Sequence, residues 1–429
     1  MKLACTLAIV GLFLSPSGPV RAFAQNPPAP HSPEPRARDL GIPFDGIPGP
    51  FNAITDVAGV EVGFKTLISG EGRLVIGKGP VRTGVTAIFP RGKSNPHSVF
   101  AGYFAGNGNG DMTGTHWIDE SGVLETPILI TNTGSVGVVR DAAVTWMVEH
   151  NHFGAFWYPV SAETADWPLN DIRGQHVTTQ DALDALNSAA SRPLLEGNVG
   201  GGTGMVCNGF KGGTGTSSRK LESAAGGYTV GVLVQCNYGS SNQLRLAGIP
   251  VAREMNLRPP CVAKGLEPPV LDWDGNPAPV CAPNVATTAD GMRTPEMGSI
   301  IVIVATDAPL TPDQLKRVAR RVSVGLGRVG AIEGDESGDI FLAFSTANVG
   351  ADEGNSAEPP FTAANAKVER LQSWKMDALF AAVVQAVEES VINAIIAAKT
   401  MTGADYWVVP AIPHDQLQAI LRRHGMLKP

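Results

Sequence analysis

Ser299 is the first residue to examine for chemistry. Gly298-Ser299 runs straight into Ile300-Ile301-Val302-Ile303-Val304-Ala305, after which Asp307-Ala308-Pro309-Leu310 leads to a helix start. An unbroken, mostly β-branched run reads as a strand buried on both faces. A hydroxyl on the first residue of such a strand sits at the edge of the core on a rigid element, which suits a nucleophile. If the Gly298–Ser299 bond were cut, Ser299 would carry both Oγ and a free α-amine. An α-amine has a pKa of about 7.7–8.0, so it can serve as general base near neutrality without a histidine. Read without its surroundings, the dipeptide is an ordinary turn into a core strand; the surrounding text is what points to a nucleophile.

Competing chemistries find less support. The Gly-rich text at 197–216 has no G-x-G-x-x-G between a strand and a helix. Gly92-Lys93-Ser94 ends like a phosphate-binding loop, but Ala87 stands where its first glycine belongs. His150 and His152 beside Glu149 lack metal-ligand spacing and read as solvated loop residues. No G-x-S-x-G surrounds any serine. The cysteines form neither a CxxC nor a zinc spacing, so no metal and no cofactor is expected.

The elements that must hold Ser299 occupy most of the 429 residues. Residues 1–24 read as a secretory signal, with Lys2, an apolar run over Leu3–Leu14 and Ala22-Phe23-Ala24 before Gln25. The run is well short of the roughly 20 residues that span a bilayer. Export is therefore expected, to the periplasm or medium, with no membrane attachment once the signal is removed. Loss of Lys2 and Arg21 with it takes the formal charge from −7 to −9. No basic stretch suited to nucleic acid remains. Residues 25–38 carry five prolines and read as a flexible leader. Residues 39–298 and 299–429 then read as two parts of a single layered α/β body. Residues 255–297, with eight prolines, form an insertion just ahead of Ser299. Cys261 and Cys281, both in that insertion, are a plausible disulfide in an exported chain. Cys207 and Cys236 read as buried thiols.

Strands are expected at 53–57, 60–63, 81–89, 99–104, 124–131, 157–162, 228–237, 300–305, 340–344 and 406–409. A further strand is expected at 245–253, and a tight loop over 197–216. Helices are expected at 132–148, 179–190 and 415–424. Another starts at Thr311-Pro312-Asp313-Gln314, where Pro follows the cap of a capping box. The long apolar helix at 375–399 is interrupted by Gln385, Glu388, Glu389 and Asn393, so it should pack in a core rather than cross a membrane.

Several blocks, in this order, resemble the self-processing L-aminopeptidase/D-esterase family, which includes the β-peptidyl aminopeptidases. They are Asn52-Ala53-Ile54-Thr55-Asp56-Val57-Ala58-Gly59-Val60, Leu124-Glu125-Thr126-Pro127-Ile128 through Thr131-Asn132-Thr133, Pro159-Val160-Ser161-Ala162-Glu163-Thr164, 197–219, Val230-Gly231-Val232 through Asn237-Tyr238-Gly239, Ser299–Leu310 and Ser337–Asn348. Phe64, where the resemblance suggests histidine, and the length of the 255–297 insertion depart from it.

The resemblance implies a four-layer α/β/β/α sandwich like that of the N-terminal-nucleophile hydrolases, built from two chains made by cleavage at Gly298–Ser299. It implies a serine aminopeptidase acting through an acyl-enzyme on peptides, amides or esters, and an oligomer of processed pairs. Residue by residue, Ser299 is the nucleophile and Asn237 the oxyanion donor. Ser337 and Asp339, two apart and so on one side of an extended segment, bind the Ser299 amine. Glu163 meets the substrate ammonium, and Trp167 walls the side-chain pocket. Two alternatives remain at this level: an N-terminal-serine amidase or acylase that needs no free substrate amine, and a non-catalytic exported binding protein.

Overall fold

The computed structural model describes residues 34–152, 157–272, 274–281, 297–352 and 365–427. The expected signal, most of the leader and residues 282–296 of the insertion lie outside them. Two sheets carry the fold. The smaller has the order β1 (Glu61–Ser69), β2 (Val81–Phe89), β5 (Ile128–Thr131), β6 (Val160–Glu163). In the larger, β3 (Val99–Gly108) follows the edge strand β4 (Val123–Leu124), and β12 (Glu336–Ser345) and β11 (Met297–Thr306) come next. β10 (Thr229–Tyr238) and β9 (Gly213–Lys220) complete it. Short pairs β7 (Val206–Cys207) with β8 (Phe210–Lys211), and β13 (Met401–Thr402) with β14 (Val408–Val409), stand beside these sheets.

Hydrophobic patterning fixes the layers. Between the sheets, Ile88, Ile128, Ile130 and Val160 meet Leu233, Ile301, Ile303, Leu342 and Phe344. Outside the smaller sheet, Val85, Ala87 and Leu129 pack on α2 (Val136–Glu149) and α3 (Thr179–Ser188), with Trp146 and Leu186 at the contact. Outside the larger, Val232, Ile300, Val302 and Phe341 pack under α4 (Pro312–Ala319), α5 (Val322–Arg328), α6 (Met376–Ile396) and α7 (His414–Arg423). The result is the four-layer α/β/β/α sandwich. A further short helix, α1 (Thr115–Ser121), lies between β3 and β4. β11 alternates Ile300, Val302 and Val304 toward the helices with Ile301, Ile303 and Ala305 toward the other sheet, as burial on both faces requires. Each such side chain contributes roughly 1.5–3 kcal/mol of burial, so the position of Ser299 at its start is firmly held.

α6 is long and apolar enough to cross a membrane, yet 83% of its most apolar window is buried in the fold. Its polar residues are partnered. Glu389 pairs with Arg38 and Arg219, both at 2.7 Å. Asn393 accepts from the Ala37 backbone N–H and donates to the Thr216 carbonyl. The leader's last residues, 36–38, are thus bound to the core rather than loose.

Four local expectations give way to the structure. Ala53–Val57 contains a 3-10 turn, Ile54–Asp56, because the Asp56 carboxylate accepts from the backbone N–H of Phe51 and Ala53 and coils the chain. The Gly-rich 197–216 region includes true strand in β9. Its glycines serve close approach: a Cβ on Gly215 would lie 2.1 Å from the Ser390 carbonyl oxygen of α6. Residues 245–253 turn back on themselves through a Leu246–Ile249 bridge and enter a 3-10 turn, Val251–Glu254, because Gly248 at φ +80° and Pro250 break any strand. Cys207 and Cys236 are joined as a disulfide across β7 and β10, Cα–Cα 5.6 Å, instead of standing as thiols. Cys261 and Cys281 form the second disulfide.

Candidate active site

Ser299 opens the buried part of β11, the strand held antiparallel to β10 and parallel to β12. Its ladder partners are Asn237 on one side and Gly338 on the other. Strand alternation puts the Ser299 and Asn237 side chains on the inter-sheet face, at the end of the layer built from Leu233, Ile301 and Ile303. Both are more than nine-tenths buried.

Gly298 has φ +104°, and a Cβ there would stand 2.0 Å from the Asn237 carbonyl oxygen. Only glycine fits that backbone at that approach. Gly239 also has positive φ, but the following Ser240 lies in a 240–243 turn, its hydroxyl bonded to Asn242. That serine mounts on no strand.

The Asn237 amide is held from both ends. Its Oδ1 accepts from the Val206 N–H at 2.8 Å, and its Nδ2 donates to the Ala165 carbonyl at 2.8 Å. Since one partner can only donate and the other only accept, the amide cannot flip. Nδ2 carries a second hydrogen beyond the one given to Ala165.

Ser337 and Asp339 are completely buried, and the Ser337 hydroxyl donates to Asp339 Oδ1 at 2.8 Å. They flank Gly338, the residue paired with Ser299. Alternation therefore puts them on the face opposite the Ser299 hydroxyl, with the β11 backbone between.

Glu163 ends β6 of the other sheet, 4% exposed. Its Oε1 accepts from the Asp111 N–H at 3.0 Å, and its Oε2 accepts from the Thr133 hydroxyl. Burial pushes its pKa up, and these two donors pull it part of the way back. Among the described residues no Lys, Arg or His forms an ion pair with it. Asp111 and Thr133 are exposed, so the carboxylate lies just inside a surface opening.

Sequence reasoning missed the segment that joins these parts, Asn107–Asp111. The Asn109 carbonyl and Ser299 Oγ crowd the Cα of Gly338: a Cβ there would lie 2.4 Å from the first and 2.8 Å from the second. Gly110 lies between Glu163 and Gly338, 3.3 and 3.4 Å from the place its own Cβ would take. Asn107 and Asn109 donate to the Asp335 and Glu336 carbonyls, tying this loop to the entry of β12. The alternating Asn-Gly-Asn-Gly text was the available signal.

Trp167 follows two residues after Ala165 and meets Trp407 edge-on, ring centroids 5.8 Å apart. Val206 and the insertion residues Val262, Val270 and Ala278 complete that apolar cluster. No cluster of three or more potential metal ligands occurs among the described residues.

Two face-packed sheets between helices, with a buried serine at the head of a central strand, define the class as an aminopeptidase of the Ntn-hydrolase fold, as the solved relatives show. The L-aminopeptidase D-Ala-esterase/amidase of Ochrobactrum anthropi is described as a prototype for the serine aminopeptidases and a new variant among the Ntn hydrolase fold. It matches with TM-score 0.77 at 44% identity, over 92% of this chain and 100% of its own. A β-aminopeptidase from Burkholderia sp. matches at TM-score 0.77 and 43% identity, with the same coverage. Residues 52–409 fit peptidase family S58, and the chain belongs to that family. It is 49% identical over 395 residues to the β-peptidyl aminopeptidase BapA of Sphingosinicella microcystinivorans, spanning 92% of this chain and 93% of the relative.

Proposed function

We propose that the chain is an exported precursor that cuts itself at Gly298–Ser299 into 25–298 and 299–429. The processed pair then acts as a serine aminopeptidase, and such pairs associate into an oligomer. The observation that carries this reading is the setting of Ser299: a buried hydroxyl at the head of β11, preceded by a glycine at φ +104° and flanked by Asn237 and Gly338.

In processing, Ser299 Oγ attacks the Gly298 carbonyl. The C–N bond breaks, the nitrogen takes the proton, and an ester joins Gly298 to Oγ. Water hydrolyses the ester, leaving a Gly298 carboxylate and a free Ser299 amine. In turnover that amine accepts the Oγ proton as Oγ attacks the carbonyl of the substrate's first residue. The spare Nδ2 hydrogen of Asn237 donates to the oxyanion, the kind of contact worth about 2.7–4 kcal/mol in the barrier. The Ser299 ammonium then protonates the leaving amine, and water releases the acyl group. Ser337 and Asp339 hold the Ser299 amine. Glu163 binds the substrate's own ammonium, which supplies the counter-ion that a buried carboxylate requires. Trp167 borders the side-chain pocket.

The substrates on this reading are peptides, amides or esters with an unblocked first residue. The name of the 49% identical relative makes β-amino acids the first residues to try. A panel of α-, D- and β-aminoacyl p-nitroanilides, each free and N-acetylated, tests the proposal. Hydrolysis of the free forms alone is expected. Equal hydrolysis of acetylated forms indicates an acylase, and a single uncut, inactive chain indicates a binding protein.

A further inference from the structure

Two charged side chains are completely buried beside Asn237 and take no part in the chemistry above, Lys211 and Asp166. We infer that they are positioning residues for the Asn237 amide, fixing from behind the two backbone groups that clamp it. The inference rests on the oxyanion role proposed for Asn237.

The Val206 N–H that holds Oδ1 belongs to the peptide unit whose carbonyl is that of Met205. Lys211 Nζ donates to that carbonyl at 2.9 Å and to the Gly212 carbonyl at 2.9 Å. The backbone of Lys211 is itself anchored, its N–H donating to Pro410 at 2.7 Å. The Met205 carbonyl also accepts from the Gly212 N–H at 2.8 Å; bonds accepted by a carbonyl orient the whole planar unit, so the ammonium and that N–H together aim the Val206 N–H.

The Ala165 carbonyl that receives Nδ2 belongs in turn to the peptide unit whose nitrogen is that of Asp166. The Asp166 carboxylate is buried among the side chains of Thr83, Asn132 and Asn170, and neither of its oxygens completes a hydrogen bond to a described residue. Asn132 is bonded to Thr83 at 2.7 Å, and Asn170 accepts from the Arg82 N–H at 2.8 Å, so this surround is anchored to β2. A Cβ on Gly204 would lie 2.8 Å from the Asp166 Cβ, which packs the glycine turn preceding Met205 onto the same residue.

Burying an ammonium is a poor route to stability, because its desolvation costs several kcal/mol even when paired. Here burial pushes Lys211 down to about 7, opposed by the charge of Asp166, and pushes Asp166 up to about 7. An apolar side chain would fill the same space without that cost, but it could not hold the Met205 and Gly212 carbonyls.

The test is a double-mutant cycle. Lys211→Met and Asn237→Ala are made singly and together, with kcat and KM measured on one aminoacyl p-nitroanilide and thermal unfolding recorded. Where an Asn237→Ala precursor cuts too slowly to yield processed enzyme, the first-order rate of self-cleavage replaces kcat. Lys211→Met should lower kcat at least tenfold and leave KM within twofold, and it should add less than twofold to the loss already caused by Asn237→Ala. Asp166→Asn should behave in the same way. A Lys211→Met loss of equal size in both backgrounds overturns the inference, as does an unchanged kcat. Failure of both Lys211→Met and Asp166→Asn to fold also overturns it, by assigning the pair to stability. Unchanged kcat in Asn237→Ala alone refutes the oxyanion reading instead.

Discussion

Replacing Gly338 with alanine perturbs the site through a methyl group alone. The new Cβ would stand 2.4 Å from the Asn109 carbonyl oxygen and 2.8 Å from Ser299 Oγ. Ordinary contacts lie beyond about 3.4 Å, so both neighbours must give way, by roughly 0.5–1 Å. The Asn109 backbone has little freedom, because Asn107 and Asn109 tie its loop to the 335–336 carbonyls. The Ser299 side chain can rotate and so yields readily, while the backbone contact with Asn109 is relieved only by moving the loop or β12, which is where the stability cost falls. Overpacking of this kind costs about 1–3 kcal/mol of stability, a fall of a few degrees in Tm. A displacement of ~1 Å at the reacting atom costs about 10²-fold in rate. The assay follows the fraction of uncut precursor on a denaturing gel against time. Gly108→Ala, on the same loop with nothing within 4 Å of its Cβ, is the control and should process normally. A Gly338→Ala precursor that folds and cuts at the native rate would refute the argument that Ser299 Oγ works from this position.

Four further outcomes follow. Glu163→Gln should weaken turnover of amino-free substrates at least tenfold while leaving self-cleavage within about twofold, since processing presents no ammonium; equal loss in both assays would make Glu163 structural. Because burial raises the Glu163 pKa, kcat/KM for such substrates should climb with pH as the carboxylate ionises, with an acid limb above that of an ordinary glutamate. The rise set by the Ser299 amine remains in the Gln variant, while the component due to Glu163 should vanish from the lower part of the profile; an unchanged profile would assign that component to another group. Asn237→Ala should lower kcat about 10²–10³-fold with little change in KM; a pure KM effect would remove it from the oxyanion. Replacing Cys207 and Cys236 together with alanine should lower unfolding stability by about 2–4 kcal/mol, and unchanged denaturation would show that the bridge contributes nothing.

The candidate site residues were legible in the sequence because they sit where strands begin or end: Ser299 before an apolar run, Asn237 at the close of β10, Glu163 at the close of β6. The layers were legible for the same reason, since β11 and α6 announce their burial by continuous apolar text. What escaped was whatever depends on approach between distant segments. Gly213–Lys220 looked too glycine-rich for a strand until α6 lay on it. Nothing local to Cys207 or Cys236 says that the two strands meet. The Asn107–Asp111 segment carries an Asn-Gly-Asn-Gly repeat but nothing that says what it meets, and its part in the site comes from the β3–β12 pairing that brings it against Gly338.

N-terminal sequencing of the smaller chain from purified protein tests the central claim most directly. Ser-Ile-Ile-Val is expected, from cleavage at 298–299, and Ser299→Ala should remain one inactive chain. A smaller chain beginning Ser-Ser-Asn-Gln, from the Gly239–Ser240 bond, or a Ser299→Ala protein still cut at 298–299, would contradict the account.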